Sequence, residues 1–105
     1  MAMIAERMVD ERSEPRDEVH HRARAVRADG SAAELLVVNM SARGLMARTT
    51  AEFAVGDRLR VRLPAAGQVS AEVRWSLGGR IGCQLDAIIP LAEYFQLLAV
   101  MAKPA

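Results

Sequence analysis

Cysteine, lysine and aromatic residues are all scarce in this 105-residue chain, and each scarcity removes a class of explanation. With Cys83 the single cysteine, neither an internal disulfide nor a zinc site of paired cysteines can form. Aromatic residues make up only 4%, too few for a protein that grips single strands by stacking successive bases. The two histidines, His20 and His21, are adjacent; on a strand they point to opposite faces, one exposed and one partly packed, and no metal site is expected. No apolar run approaches the roughly 20 residues that span a bilayer, and the opening MAMIAERMVDER breaks into charge too early for a signal peptide. A cytoplasmic protein without membrane insertion is the expectation. A Gly-rich phosphate loop, a dinucleotide fingerprint and the Gly-x-Ser-x-Gly elbow of hydrolases are also missing, so catalysis is not expected.

What is present is arginine, thirteen residues against the single Lys103. The planar guanidinium fork suits phosphate, carboxylate and the edge of guanine, whereas an ammonium is a compact point charge. A GC-rich genome accounts for the count, so position must carry any functional meaning. Net charge is only +1 and the pI about 8.0, which argues against a general polyanion binder. Hydrophobic residues at 51% and charged residues at 26% describe an ordinary soluble domain, one rather than two at this length.

Along the chain, residues 1–18 are dense in charge, lack persistent periodicity and contain Pro15; they read as a flexible N-terminal arm, with the domain proper over 19–105. VHHRARAVRA alternates with Val19, His21, Ala23 and Ala25 on one face, and DGS at 29–31 forms a turn. ELLVVNMS is apolar on both faces, as in a strand covered on both sides, and GLMART continues beyond a polar interruption. After a turn at Gly56 and Asp57, Leu59, Val61 and Leu63 alternate with Arg58, Arg60 and Arg62. In QVSAEVRWSL the alternation puts Val69, Ala71, Val73, Trp75 and Leu77 on one face and Ser70, Glu72, Arg74 and Ser76 on the other, and Gly78-Gly79 makes a tight hairpin into RIGCQLD. Pro90 opens a helix with Leu91, Tyr94, Phe95, Leu98 and Met101 at helical spacing. Trp75, Tyr94 and Phe95 are expected in the core. The predicted fold is mainly all-β: a small six-stranded antiparallel barrel with a C-terminal helix.

Two motifs stand out in this plan. RSEPR at 12–16 spaces Arg12 and Arg16 on the arm just before the first strand; Arg58 and Arg62 repeat the spacing, but on a strand where they form a solvated face. NMSARG at 39–44 is Asn-x-Ser-x-x-Gly between the second and third strands. In this order the chain resembles the PilZ domain family, small bacterial barrels that bind cyclic di-GMP. The likeness extends through AVGDRLRVRLP and AEVRWSLGGRIGCQLD and covers roughly residues 11–100.

The resemblance implies a single-domain receptor that passes a conformational signal to an unidentified protein partner, with cyclic di-GMP as ligand and no further cofactor. Arg12 and Arg16 would each meet a guanine edge or a phosphate. Asn39 and Ser41 would give short hydrogen bonds to a guanine, and Gly44 would let backbone and ligand approach closely. Arg22 and Arg43, with Arg48, are additional basic candidates. Glu11 stands where some family members carry a further arginine, which favours one bound molecule over a stacked pair. The alternatives are a PilZ-like adaptor that binds no nucleotide, and a nucleic-acid-binding barrel, whose affinity would fall steeply with salt.

Overall fold

A computed structural model describes residues 16–102 of the protein. Six strands form: β1 (Asp17–Arg27), β2 (Ala32–Met40), β3 (Gly44–Arg48), β4 (Arg58–Leu63), β5 (Gly67–Leu77) and β6 (Arg80–Leu85). They close antiparallel in the order β1-β2-β3-β6-β5-β4, with β4 paired back to β1. One helix among the described residues, α1 (Leu91–Met101), follows. The barrel and helix are those expected from the alternation.

A six-stranded barrel has a narrow interior, and the inward residues fit it by setting small against large. Ala23 is opposite Leu35, Ala25 opposite Val61, Ala47 opposite Val37 and Ala71 opposite Leu59, all buried. Outside, Arg58, Arg60 and Arg62 are exposed on β4, and Arg58 pairs with Asp86. The Gly78-Gly79 turn has positive φ at both residues (61° and 79°), as a two-residue hairpin with right-handed strand twist requires.

Three expectations need correction. First, β1 begins at Asp17, not Val19, because Asp17 and Glu18 pair with Met40 and Asn39; the rest of the expected arm, apart from Arg16, lies outside the described residues. Second, β2 is covered on one face only: Leu35, Val37 and Met40 are buried, while Leu36 and Val38 are half-exposed on the barrel's outside. Third, α1 buries Tyr94, Leu97 and Met101, leaving Leu91 (67%) and Phe95 (61%) exposed. The helix LAEYFQLLAVM is apolar around most of its circumference, so its sequence does not single out the buried stripe. Pro90 sits at the N-cap, one position before the helix.

The Tyr94 hydroxyl donates to Asp17 Oδ2 at 2.6 Å and lies 3.1 Å from the Met40 carbonyl oxygen. A bridge between Val19 and Ala102 closes the other end of the helix. Thus α1 covers the barrel end where β1 starts and β2 stops.

Candidate ligand site on the outer face of the barrel

Residues 39–44 leave β2 at this same end. Ser41 N donates to the Gly44 carbonyl at 2.9 Å and Ser41 Oγ accepts from Arg43 N at 3.2 Å, so the loop is a tight turn stapled by its own serine. The carbonyls of Ala42 and Arg43 accept from Ile89 N and Leu85 N, at 2.9 and 2.8 Å. With its backbone tied to β6 and the lead-in to α1, the turn is rigid before any ligand arrives. Ser41 is only 1% exposed. Gly44 lies against β6: a Cβ there would stand 2.6 Å from the Cys83 carbonyl oxygen. The expected role of Gly44, closeness to a ligand, therefore has a structural companion, closeness to a strand.

Two β-bulges set which side chains face outward. Between β2 and β3 the register slips after Val37, so Asn39 opposes Met46 and turns outward while Met40 turns in. Between β5 and β6 it slips between Val73 and Trp75; Val73 opposes Cys83 inside, and Trp75 opposes Gly82 outside. The extra residue, Arg74, reverses the phase of everything after it. Trp75 is consequently 40% exposed, contrary to the core position expected of it, and Leu77 faces out rather than sharing the face of Ala71 and Val73. The outcome is one transverse row, Asn39, Met46, Gly82 and Trp75, across three strand pairings.

A cavity of about 470 Å³ lies over this row, within the range typical of small-molecule sites. Arg16, Arg43 and Arg74 converge on it, together with Ser41, Gly44 and Trp75. Arg16 Nη1 donates to Asn39 Oδ1 at 2.8 Å, and the Asn39 amide in turn reaches Met46 Sδ at 3.6 Å. Asn39 does not line the cavity; it fixes Arg16 above it. Arg74 Nη1 donates to Gln84 Oε1 at 2.6 Å, which holds the second guanidinium at the opposite rim. Asp17, the carboxylate beside Arg16 in sequence, is engaged by Tyr94.

Of the residues expected at a site, Arg16, Ser41, Gly44 and Arg43 meet at the cavity and Asn39 supports it. Arg22 and Arg48 are exposed elsewhere on the outer face and do not line it, and Arg12 lies outside the described residues. Arg74 and Trp75 were missed, because strict alternation hides a bulge. A larger depression of about 580 Å³ near Thr49, Phe53 and Arg80 offers one arginine beside Glu52, with no comparable convergence of charge. No group of three or more metal-ligating side chains occurs among the described residues, and no helix there is long and apolar enough to cross a membrane.

The backbone superposes on the PilZ domain of CeSA from a cellulose-synthesizing bacterium with a TM-score of 0.59, at 16% identity, covering 83% of this chain and 94% of that one. It superposes on the PilZ domain of YcgR from Escherichia coli, a structure with c-di-GMP, with a TM-score of 0.58 at 18% identity, covering 83% and 86%. This chain has the PilZ-domain fold. No family model matches the sequence, and neither does any curated protein. In this PilZ fold the Asn39–Gly44 turn, the foot of the arm and the β5 bulge meet on one outer surface.

Proposed function

We propose that the protein is a receptor for cyclic di-GMP, acting in the bacterial cytoplasm as a binding domain rather than an enzyme. The observation that carries this reading is the convergence of Arg16, Arg43 and Arg74 on one cavity of suitable size, with Arg16 held in place by Asn39. Cyclic di-GMP presents two phosphates and two guanines. An arginine fork matches either a phosphate or the O6/N7 edge of guanine with two parallel donors. The PilZ fold and the ligand present in the YcgR structure support the same reading.

Asn39 and Ser41 serve mainly by shaping the site: one orients Arg16, the other builds the turn that presents Arg43. Arg12, four residues before Arg16, adds a second guanidinium from the arm. Binding that draws on Arg16 bears directly on Asp17, which Tyr94 ties to α1. This gives a short route from ligand to helix, whose outward Leu91, Phe95 and Val100 are available to a partner protein.

The test is a calorimetric titration of the full chain with cyclic di-GMP, with GTP and cyclic di-AMP as controls, repeated on Arg12→Ala, Arg16→Ala and Ser41→Ala. Selective uptake that is lost in the arginine variants supports the receptor. Failure to bind at high micromolar ligand sinks it and leaves the adaptor, whose exposed α1 face would then be its chief surface.

A further inference from the structure

On the side of the barrel away from the ligand cavity, four arginines gather without partners. In the ring β1-β2-β3-β6-β5-β4 the β4–β1 seam is diametrically opposite the β3–β6 seam, over which the cavity lies. Val26 opposes Arg60 across the β4–β1 seam, and just beyond the inward pair Ala25 and Val61 come the exposed Arg24 and Arg62. Arg22 follows one pleat further along β1. With alternate residues about 6.6 Å apart along a strand, the four spring from a strip about 13 Å long and one strand spacing wide.

Arg58 pairs with Asp86 and Arg27 lies over the Phe53 ring, but Arg22, Arg24, Arg60 and Arg62 form no ion pair among the described residues. Glu34 stands opposite Arg24 in the β1–β2 ladder and still does not engage it. Like charges this close cost stability. A surface kept only for solubility would intersperse carboxylates among them.

Such a strip calls for an anionic occupant, and three details choose among the classes. None of the exposed large hydrophobic residues lies on β1 or β4, so the strip lacks the apolar centre of a protein–protein interface. Strong duplex binding draws on roughly six to ten phosphate contacts, whereas a cluster of about four to eight basic residues is enough to hold a protein against an anionic bilayer. Beside Arg60, a depression of about 280 Å³ walled by Arg27, Arg58 and Ser70 has room for a headgroup phosphate. The net charge of only +1 does not oppose this, because within a Debye length of about 10 Å a bilayer feels the near face alone.

We propose that the β1–β4 face is an electrostatic docking surface for the anionic phospholipid surface of a membrane, on which the protein rests without inserting. Arginine forks meet lipid phosphates with paired donors. The cavity on the opposite side stays open to a soluble ligand.

The proposal stands independently of the receptor reading, and its test uses no nucleotide. The full chain is sedimented with phosphatidylglycerol vesicles, with phosphatidylcholine vesicles as the neutral control and with a DNA duplex and oligoglutamate as competing polyanions. Binding to phosphatidylglycerol alone is expected, and it is lost as salt rises from about 0.05 M to about 0.5 M. Arg60→Gln and Arg62→Gln should each lower the partition coefficient about fivefold, the factor for one arginine at an anionic surface. Arg48→Gln removes the same charge from β3, outside the strip, and should change it by less than about twofold. Thermal melts verify that each variant is folded.

Equal losses in all three variants would reduce the effect to net charge and overturn the docking face, as would equal uptake by phosphatidylcholine. Displacement from vesicles by dilute duplex or oligoglutamate would reassign the strip to nucleic acid or to an acidic protein. Absence of sedimentation with phosphatidylglycerol at about 0.05 M salt overturns the proposal and leaves the receptor reading untouched.

Discussion

At the scale of single residues, the motif positions divide into those that meet a ligand and those that hold the barrel together. Gly44 belongs to the second group. Its missing Cβ would sit 2.6 Å from a backbone carbonyl, which cannot rotate away, so Gly44→Ala is expected to destabilise the fold by about 1–3 kcal/mol in urea unfolding. Arg16 belongs to the first. It is exposed, so Arg16→Ala should change unfolding free energy by no more than about 0.5 kcal/mol while removing most of the calorimetric signal with cyclic di-GMP. Asn39 stands between the two, since its contribution passes through the 2.8 Å bond to Arg16. Asn39→Ala should weaken binding about two- to tenfold, and Asn39→Asp, whose carboxylate still accepts from Arg16, should come close to wild type. An equal loss in both variants would mean that the amide itself touches the ligand.

Elements explain what sequence reading captured and what escaped it. Where strands keep strict alternation, as in β4 with Leu59, Val61 and Leu63 inward, period two placed every side chain correctly. Around residues 37–39 and 73–75 the period breaks, because one inserted residue sends each following side chain to the other face. A bulge has no strong signature in a single sequence, so alternation alone points Trp75 inward and gives Arg74 no special place. The turn motif was legible because Asn, Ser and Gly are chosen for local backbone reasons; Gly82 was not, because the need for it arises only when a distant indole arrives. Likewise α1 was legible as a helix and ambiguous in its facing.

The tie between α1 and the foot of the arm yields an element-scale prediction. Tyr94→Phe removes the hydroxyl that donates to Asp17 and leaves that half-buried carboxylate without it. The loss is about 1 kcal/mol, or a fall in Tm of roughly 4–8 °C for a domain of this size. If the route from Arg16 through Asp17 to α1 operates, this variant also uncouples ligand binding from hydrogen-exchange protection in α1. Unchanged coupling would show that the signal leaves by another path.

For the whole molecule, barrel closure leaves every strand paired on both sides, and Cys83 offers a reporter of how cooperatively that closure fails. Its thiol is 6% exposed, opposite Val73 on the inside, and burial pushes its pKa up to about 12. The folded thiol thus stays protonated at neutral pH and is a poor nucleophile. The unfolded thiol ionises near pH 8.5, so the unfolded state releases a proton that the folded state keeps. Stability is then unaffected by this group below about pH 8 and declines as pH rises from about 8.5 towards 12. Because β6 is locked between β3 and β5, alkylation of Cys83 must wait for opening of the barrel. Maleimide labelling at pH 7 should be slowed by the same factor that urea unfolding gives for the folded-to-unfolded ratio. A ligand that binds only the folded barrel slows it further, about 100-fold at a free concentration of 100 Kd. Rapid labelling in water, with urea stability intact, would instead reveal local opening of β6, the strand that carries Gly82. In that case the floor of the ligand site would be its mobile part.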